Sequence, residues 1–218
     1  SMTNQELFSY VDHTLLKPEA TPEQIAALCA EAAEHGTASV CVNGSYVALA
    51  KKLLDGKAKV CAVIGFPLGA MSTAAKAFEA AEAIRDGADE IDMVIHIGQL
   101  KAGNTDYVLE DIKAVKAAIG DHILKVIIET CLLTEEEKIT MCRLVTESGA
   151  EYIKTSTGFS TGGATFDDVR LFAEHVGEGV KIKAAGGIRS REDMEEFLRL
   201  GASRLGTSSA VKILCGKN

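Results

Sequence analysis

Short apolar segments alternate with longer segments of helical periodicity along the whole 218-residue chain. The apolar segments have the length and the β-branched content of strands, and the segments between them repeat apolar residues every three or four positions, as amphipathic helices do. Because a helix between two strands returns the chain to the edge where the first strand began, this alternation favours a parallel sheet. The predicted strands are Val11–Thr14, Ala38–Val42, Lys59–Ile64, Asp89–Ile95, Ile123–Ile128, Glu151–Thr155, Val180–Ala184 and Ser203–Leu205.

Capping residues mark where several of the predicted helices begin. Thr21 with Gln24, and Thr134 with Glu137, have the spacing of capping boxes, and Pro22 suits the first helical position. The predicted helices run from Pro22 to about Gly36, from Ser45 to Leu54, from Thr73 to Arg85, within Gly103 to Ile119, from Thr134 to near Gly149, from Phe166 to His175, from the cap Ser190 to Leu200, and from Thr207 to Leu214.

A weak internal sequence repeat supports the division of the chain into eight strand–helix units. Helices end in Gly-Ala and a polar residue before the next strand, at Gly87-Ala88-Asp89, Gly149-Ala150-Glu151 and Gly201-Ala202-Ser203. Strand starts recur every ~20–35 residues, the size of one βα unit. We therefore predict a single-domain α/β protein over residues 1–218, a (β/α)8 TIM barrel with a short N-terminal helical extension. A doubly wound open sheet is the alternative, but no Gly-x-Gly-x-x-Gly follows the first strand.

Composition limits the kinds of partner. The formal net charge of −8 argues against nucleic-acid binding, and no apolar run approaches the ~20 residues that span a bilayer. The six cysteines and five histidines show no metal-ligand spacing, so free thiols, no metal and a cytoplasmic location are expected. No cofactor is expected either. Ser1 before Met2 is interpreted as a remnant of cloning, with no signal peptide after it.

Polar residues at the C-terminal ends of the strands are the catalytic candidates, because active sites of such barrels lie at that end. Taken singly, each has an ordinary structural explanation. Asp12 could cap a loop, Cys41 could be a small buried hydrophobe, and a lone strand-end lysine could extend to solvent. The candidates are Asp12, Cys41, Asp92, Lys154, Lys183 and the pair Ser208 and Ser209.

Two lysines on consecutive strands make a functional role more probable than a structural one. Neighbouring parallel strands lie about 4.8 Å apart, so the amines of Lys154 and Lys183 are expected roughly 6 Å apart. At an effective dielectric constant of ~20 their repulsion is about 3 kcal/mol. A second ammonium at that distance would lower the pKa of its neighbour by about two units and yield a nucleophilic amine near neutral pH.

Strand alternation also predicts a lower layer of charge inside the barrel. Lys181 shares a strand face with Lys183, and Glu90 shares one with Asp92. Because an unpaired buried charge is costly, we expect a structural pair between Lys181 and Glu90.

The loops after the seventh and eighth strands suit a phosphate group, which barrels of this class frequently bind there. The first loop is Gly186-Gly187-Ile188-Arg189 and the second is Gly206-Thr207-Ser208-Ser209. Their glycines allow close approach of the backbone, and Arg189 and the hydroxyl groups add donors. Together with the lysines, they favour a phosphorylated small molecule as substrate.

With these residues identified, the sequence resembles the deoxyribose-phosphate aldolase family over nearly its whole length. Several independent motifs in the right order carry the resemblance. They are Val11 to Pro18, Ser39 to Asn43, Glu90 to Val94, Lys125 to Thr130, Tyr152 to Gly158, and Lys183 to Arg189.

The resemblance implies a class I aldolase that needs no metal. Such enzymes reversibly cleave 2-deoxy-D-ribose 5-phosphate to D-glyceraldehyde 3-phosphate and acetaldehyde. By position, Lys154 matches the Schiff-base lysine, Lys183 the lysine that perturbs it, Asp92 the carboxylate that moves protons, and Asp12 an acidic partner of Lys183. The substrate-binding positions that we infer are Thr157 toward the sugar hydroxyls, and Gly158, Gly186, Gly187, Arg189, Gly206, Ser208 and Ser209 toward the phosphate.

Other functions are open at this stage. Another phosphosugar barrel enzyme, transaldolase-like or an isomerase, would use similar loops, and so would a non-catalytic phosphosugar-binding protein. A zinc-dependent aldolase is disfavoured by the histidine spacing. We expect a homodimer or a homotetramer.

Overall fold

The computed structural model describes residues 1–216, so Lys217 and Asn218 of the predicted domain lie outside the described residues. Eight parallel strands form a closed barrel in which each strand pairs with the next in sequence and the last pairs with the first. This confirms the predicted (β/α)8 architecture. The strands are β1 Val11–Thr14, β2 Ser39–Asn43, β3 Lys59–Ile64, β4 Glu90–Val94, β5 Ile123–Ile127, β6 Tyr152–Lys154, β7 Lys181–Ala185 and β8 Arg204–Thr207.

Helices surround the barrel and connect its strands. Two short 3₁₀ turns, Gly44–Tyr46 and Thr130–Leu132, follow β2 and β5. The α-helices are α1 Asn4–Phe8, α2 Pro22–His35, α3 Val47–Leu54, α4 Thr73–Arg85, α5 Ile97–Lys101, α6 Thr105–Ile119, α7 Glu135–Ser148, α8 Phe166–His175, α9 Arg191–Arg199 and α10 Ala210–Cys215.

The predicted capping boxes are present. The Gln24 amide donates to Thr21 Oγ1 at 3.2 Å, and the Thr21 amide donates back to Gln24 Oε1 at 3.0 Å. Thr134 and Glu137 form the same reciprocal pair at the start of α7. Thr3 begins α1, the predicted N-terminal extension, with a third box. Each box satisfies amide groups that the first helical turn leaves without partners.

The helix predicted within Gly103 to Ile119 is present as α6, whereas the short helix α5 before it was not predicted. One helix prediction differs from the structure. The last helix begins at Ala210 and not at Thr207, because β8 continues to Thr207, whose Oγ1 then accepts the Ser209 amide at 3.0 Å. Ser208 and Ser209 therefore lie in a loop at the C-terminal end of the barrel.

The main hydrophobic core lies between the barrel and its helices. Outward residues of the strands, such as Val40, Ile91 and Ile153, pack with apolar residues of the surrounding helices. Strand alternation therefore places the intervening side chains inside the barrel, where many of them are charged. Among residues 1–216, the helices are all too short or too polar to cross a membrane.

Candidate active site

Asp92 on β4 lies between the two strand-end lysines. Lys154 and Lys183 are in register on β6 and β7. Each Nζ lies 2.8 Å from Asp92 Oδ2, so the two amines are at most twice that distance apart. Their predicted proximity agrees with the structure. What strand spacing did not predict is the carboxylate between them, which offsets their repulsion.

Lys183 is a fixed cation in this arrangement. Burial alone would lower its pKa, but the carboxylates of Asp12 and Asp92 outweigh burial and raise the pKa above its ordinary value. Burial would likewise raise the pKa of Asp92, but Lys125, Lys154 and Lys183 hold it well below its usual range. Both groups are therefore charged at neutral pH.

Asp12 is fully buried and pairs with Lys183, as the family resemblance implies. Its Oδ2 lies 2.6 Å from Lys183 Nζ, and its Oδ1 accepts the Ser39 hydroxyl at 2.6 Å. Burial would raise the pKa of Asp12, but Lys125, Lys183 and Arg204 lower it. A capping role for Asp12 does not fit these contacts, since its partners lie inside the barrel.

The predicted pair between Lys181 and Glu90 is wrong. Lys181 is the first residue of β7 and is exposed at the opposite end of the barrel from the site, with its Nζ 5.9 Å from the centre of the Tyr152 ring. Glu90 is fully buried and pairs instead with Lys125 at 2.6 Å and Arg204 at 2.7 Å. The prediction failed because alternation gives the face of a strand but not the depth of a residue in the barrel.

Lys125 and Arg204 are interior cations that sequence reasoning did not identify. Lys125 Nζ lies 3.0 Å from Asp12 and 3.1 Å from Asp92, and Arg204 Nη1 lies 2.7 Å from Asp12. The signal for Lys125 was a lysine at the centre of an otherwise apolar strand. Arg204 lies within the predicted strand Ser203–Leu205, but the sequence does not show that its side chain faces the barrel interior.

A cavity of about 340 Å³ opens at the C-terminal end of the barrel above Lys154. It brings together every predicted substrate-binding residue. Asp12, Asp92 and Lys183 are fully buried beneath it. The lining comprises the predicted Lys154, Thr157, Gly158, Gly186, Gly187, Arg189, Gly206, Ser208 and Ser209, and also Thr14, Leu15, Leu16, Lys17, Phe159, Ala185, Ile188 and Thr207.

Glu129 holds Thr157 in place at the cavity wall. The Thr157 amide and hydroxyl donate to the two oxygens of Glu129 at 3.0 and 2.6 Å, and Thr157 Oγ1 accepts the Phe159 amide at 3.0 Å. The threonine proton is therefore committed to Glu129. Toward a ligand, Thr157 Oγ1 retains one lone pair and acts as an acceptor.

The glycine at position 206 is required for space beside Lys183. A Cβ there would lie 2.9 Å from Lys183 Cε, closer than real Cβ atoms come to a neighbour, and 3.0 Å from Ala185 Cβ, which is a tight contact. Gly206→Ala is expected to displace the Lys183 amine from Asp92 and to lower kcat by about 10²-fold, since small misplacements of catalytic groups cost that much.

Gly44→Ala is the control for this prediction, because an added Cβ at Gly44 meets no atom within 4 Å. Steady-state kinetics on both variants make the measurement. Equal rates in the Gly206 and Gly44 variants would contradict the steric argument.

Two groups of interior ligand atoms come close enough to hold a cation, namely Cys41, Cys61 and Asp92, and Asp12, Cys61 and Glu90. Lys125 Nζ already contacts all three carboxylates and lies 3.3 Å from Cys61 Sγ. The lysine ammonium thus supplies the positive charge that these ligands would otherwise seek from a metal.

The sequence matches the family model of the DeoC/LacD family aldolases over residues 7–218. A deoxyribose-phosphate aldolase of Streptococcus suis (strain 98HAH33) is 59% identical over 212 residues, which cover 97% of this chain and 96% of the relative. A Coccidioides immitis structure assigned as a deoxyribose-phosphate aldolase has a TM-score of 0.95 and 43% identity, covering 99% of this chain and 87% of that chain.

A second solved structure, described as a tetrameric deoxyribose phosphate aldolase of Aeropyrum pernix, has a TM-score of 0.89 and 32% identity. It is matched over 98% of this chain and 92% of that chain. These matches confirm the resemblance inferred from the motifs, and the chain belongs to the DeoC/LacD family of aldolases.

Proposed function

We propose that the protein is a class I aldolase that reversibly cleaves 2-deoxy-D-ribose 5-phosphate to D-glyceraldehyde 3-phosphate and acetaldehyde. The observation that carries the proposal is the position of Lys154. Its amine lies at the floor of the cavity, 2.8 Å from a buried carboxylate and below loops rich in glycine and serine. The shared name of the close relatives supports the same substrate.

Carbon–carbon cleavage requires an electron sink, and a protonated imine on Lys154 provides one. The neutral amine attacks the C1 aldehyde of the sugar, and loss of water gives the imine. The C3 hydroxyl then gives up its proton, the C2–C3 bond breaks, and its electron pair moves to the imine nitrogen as an enamine. Protonation at C2 and hydrolysis release acetaldehyde and restore the lysine.

Asp92 and Lys183 manage the protons of these steps. Asp92 is the acceptor nearest to Lys154 Nζ and moves protons, with water completing the path to the substrate. Lys183, held as a cation, shares Asp92 Oδ2 with Lys154. Asp12 fixes Lys183 through their 2.6 Å contact.

The phosphate is assigned to the opposite wall of the cavity. Gly186 and Gly187 have φ angles of 87° and 74°, which favour glycine and turn the backbone of this loop sharply. Ser208 and Ser209 add hydroxyl groups, and Arg189 and Lys17 add positive charge at the rim. This arrangement places the charged end of the substrate away from the lysine that attacks its aldehyde.

Borohydride trapping tests the imine. Incubation with acetaldehyde or with the sugar phosphate, followed by reduction, is expected to leave an adduct that mass spectrometry finds on Lys154. No adduct at Lys154 would reject the mechanism. An assay for released acetaldehyde separates an aldolase from an isomerase or a binding protein, and loss of activity with a chelator would indicate a metal-dependent aldolase.

We further infer a single barrel domain over residues 1–218, a homo-oligomer and a cytoplasmic location. Support for the oligomer comes from the tetrameric Aeropyrum pernix structure. Support for the location comes from six cysteines that are all free thiols. The inferred partner is the phosphosugar alone, with no nucleic acid and no membrane.

A further inference from the structure

Each of the eight strands in the described part of the chain places a titratable side chain inside the barrel. These interior side chains form one connected group, in which Asp12 of β1 reaches Lys125 of β5 across the barrel at 3.0 Å. The group comprises Asp12, Cys41, Cys61, Glu90, Asp92, Lys125, Tyr152, Lys154, Lys183 and Arg204.

The charges in this group do not balance when every ionisable residue has its usual charge. Three carboxylates, Asp12, Glu90 and Asp92, face four cations. Lys125 contacts all three carboxylates, at 3.0, 2.6 and 3.1 Å. Lys183 and Arg204 contact two each, as described above. Lys154 contacts Asp92 alone.

Lys154 is therefore the cation that the group can most easily lose. A buried group with net charge is costly, so deprotonation of one amine brings three carboxylates and three cations into balance. Within residues 1–216, Lys154 is also the one member of these four cations that lines the cavity, so its proton can leave to solvent.

We propose that Lys125, together with Lys183 and Arg204, neutralises the three interior carboxylates and thereby leaves Lys154 free to react as a neutral amine. Lys125 touches no substrate and acts through Asp12, Glu90 and Asp92, so it is a positioning residue. The inference rests on the proposed function of Lys154 and assigns Lys125 a role in it.

Two thiols and one phenol complete the group, and the charge count takes each of them in its usual neutral form. Burial raises the pKa of the Cys61 thiol, which donates to Asp92 Oδ1 at 3.1 Å. The neighbouring Cys61 thiol lowers the pKa of Cys41 through a side-chain hydrogen bond, against the effect of burial. The Tyr152 hydroxyl lies 3.5 Å from Arg204 Nη2. Lys125 stays charged, because Asp12 and Asp92 raise its pKa well above its usual value despite burial.

Two substitutions that change the interior charge in opposite directions, at one ion pair, provide the test. Lys125→Met and Glu90→Gln each remove one partner of the same 2.6 Å ion pair. The readout is the rate of imine formation with acetaldehyde as a function of pH, measured by borohydride trapping on Lys154. Lys125→Met is expected to move the midpoint of this profile up by about 1–3 pH units, because three carboxylates then retain the Lys154 proton.

Glu90→Gln is expected to move the midpoint of the pH profile down. Combining Lys125→Met with Glu90→Gln is expected to return the midpoint toward the wild-type value. A packing role for Lys125 would not produce shifts of opposite sign that cancel. If Lys125→Met does not fold, as judged by circular dichroism, Glu90→Gln alone decides the outcome. An unchanged or upward midpoint in Glu90→Gln would overturn the proposal.

Lys76→Met and Cys41→Ser are the matched controls. Lys76 is also a fully buried lysine, but it pairs with Asp111 at 2.6 Å between α4 and α6, outside the barrel. Its loss is expected to reduce stability without moving the midpoint. Cys41→Ser should also leave the midpoint in place, and a shift of the midpoint in this variant would overturn the charge count.

If no adduct is trapped on the wild-type enzyme, the proposed function is rejected. If the adduct is trapped but the variants do not move the midpoint, only this inference is rejected.

Discussion

Lys154→Met is expected to lower kcat for cleavage of 2-deoxy-D-ribose 5-phosphate by about 10⁴-fold or more, the scale seen when a covalent nucleophile is removed. Methionine retains the length and apolar stem of lysine but cannot form an imine. The remaining side chains cannot replace it, because Lys125 and Lys183, the other two amines beside Asp92, are fully buried and held as cations.

The fold is expected to survive this substitution. Asp92 keeps Lys125 at 3.1 Å and Lys183 at 2.8 Å, so no interior carboxylate loses its last partner. Substrate affinity should change little, because the loops assigned to the phosphate are untouched. Calorimetric titration with the sugar phosphate and a thermal melt check both points.

Lys181→Met is the matched control for Lys154→Met. Lys181 lies on the strand next to β6 but is exposed at the other end of the barrel, so its substitution should leave kcat unchanged. Activity of Lys154→Met above about one per cent of wild type would show that the reaction does not pass through this amine.

Local features of this fold were predictable because they depend on neighbouring residues. The capping boxes at Thr21 and Thr134 need only a spacing of three residues, and α4 and α8 have their predicted bounds. Lys154 and Lys183 were found together for a similar reason. Lys154 ends β6, Lys183 is paired with it in register on β7, and consecutive strands of a parallel barrel are neighbours.

The interior charge network was not predictable in this way. Asp12 and Lys125 are 113 residues apart and meet only because the barrel closes. Their contact depends on the stagger of all the strands between them, which strand alternation does not encode. Lys181 illustrates the same limit, since a shift in depth of two residues separates a fully buried lysine at position 183 from an exposed one.

Asp92→Asn is expected to separate imine formation from carbon–carbon cleavage. Asp92 Oδ2 accepts from Lys154 and Lys183, and its Oδ1 contacts Lys125 at 3.1 Å. Removing this carboxylate takes one negative charge from the interior and favours the neutral amine at Lys154, so acetaldehyde should still be trapped there. Cleavage needs a group that accepts a proton, and its loss is expected to lower kcat by about 10²–10⁴-fold.

Because the surrounding lysines hold the pKa of Asp92 well below its usual range, Asp92 is ionised throughout the neutral and mildly acidic range. The stability that its ion pairs provide is therefore present above its unfolded pKa of about 4 and is lost only as the pH falls toward its much lower folded value. Asp92→Asn should thus be less stable than wild type at pH 7 and approach it in strong acid.

Asp111→Asn separates this stability loss from the catalytic one. Asp111 is also a fully buried carboxylate, paired with Lys76 at 2.6 Å and with the Thr73 hydroxyl at 2.7 Å, but it lies on α6 outside the barrel. The Asp111→Asn substitution should lower the melting temperature while leaving kcat near the wild-type value. If Asp92→Asn cleaves the sugar at the wild-type rate, proton transfer does not depend on Asp92. If Asp92→Asn fails to form the adduct on Lys154, the main role of Asp92 is to support Lys154 and not to move protons.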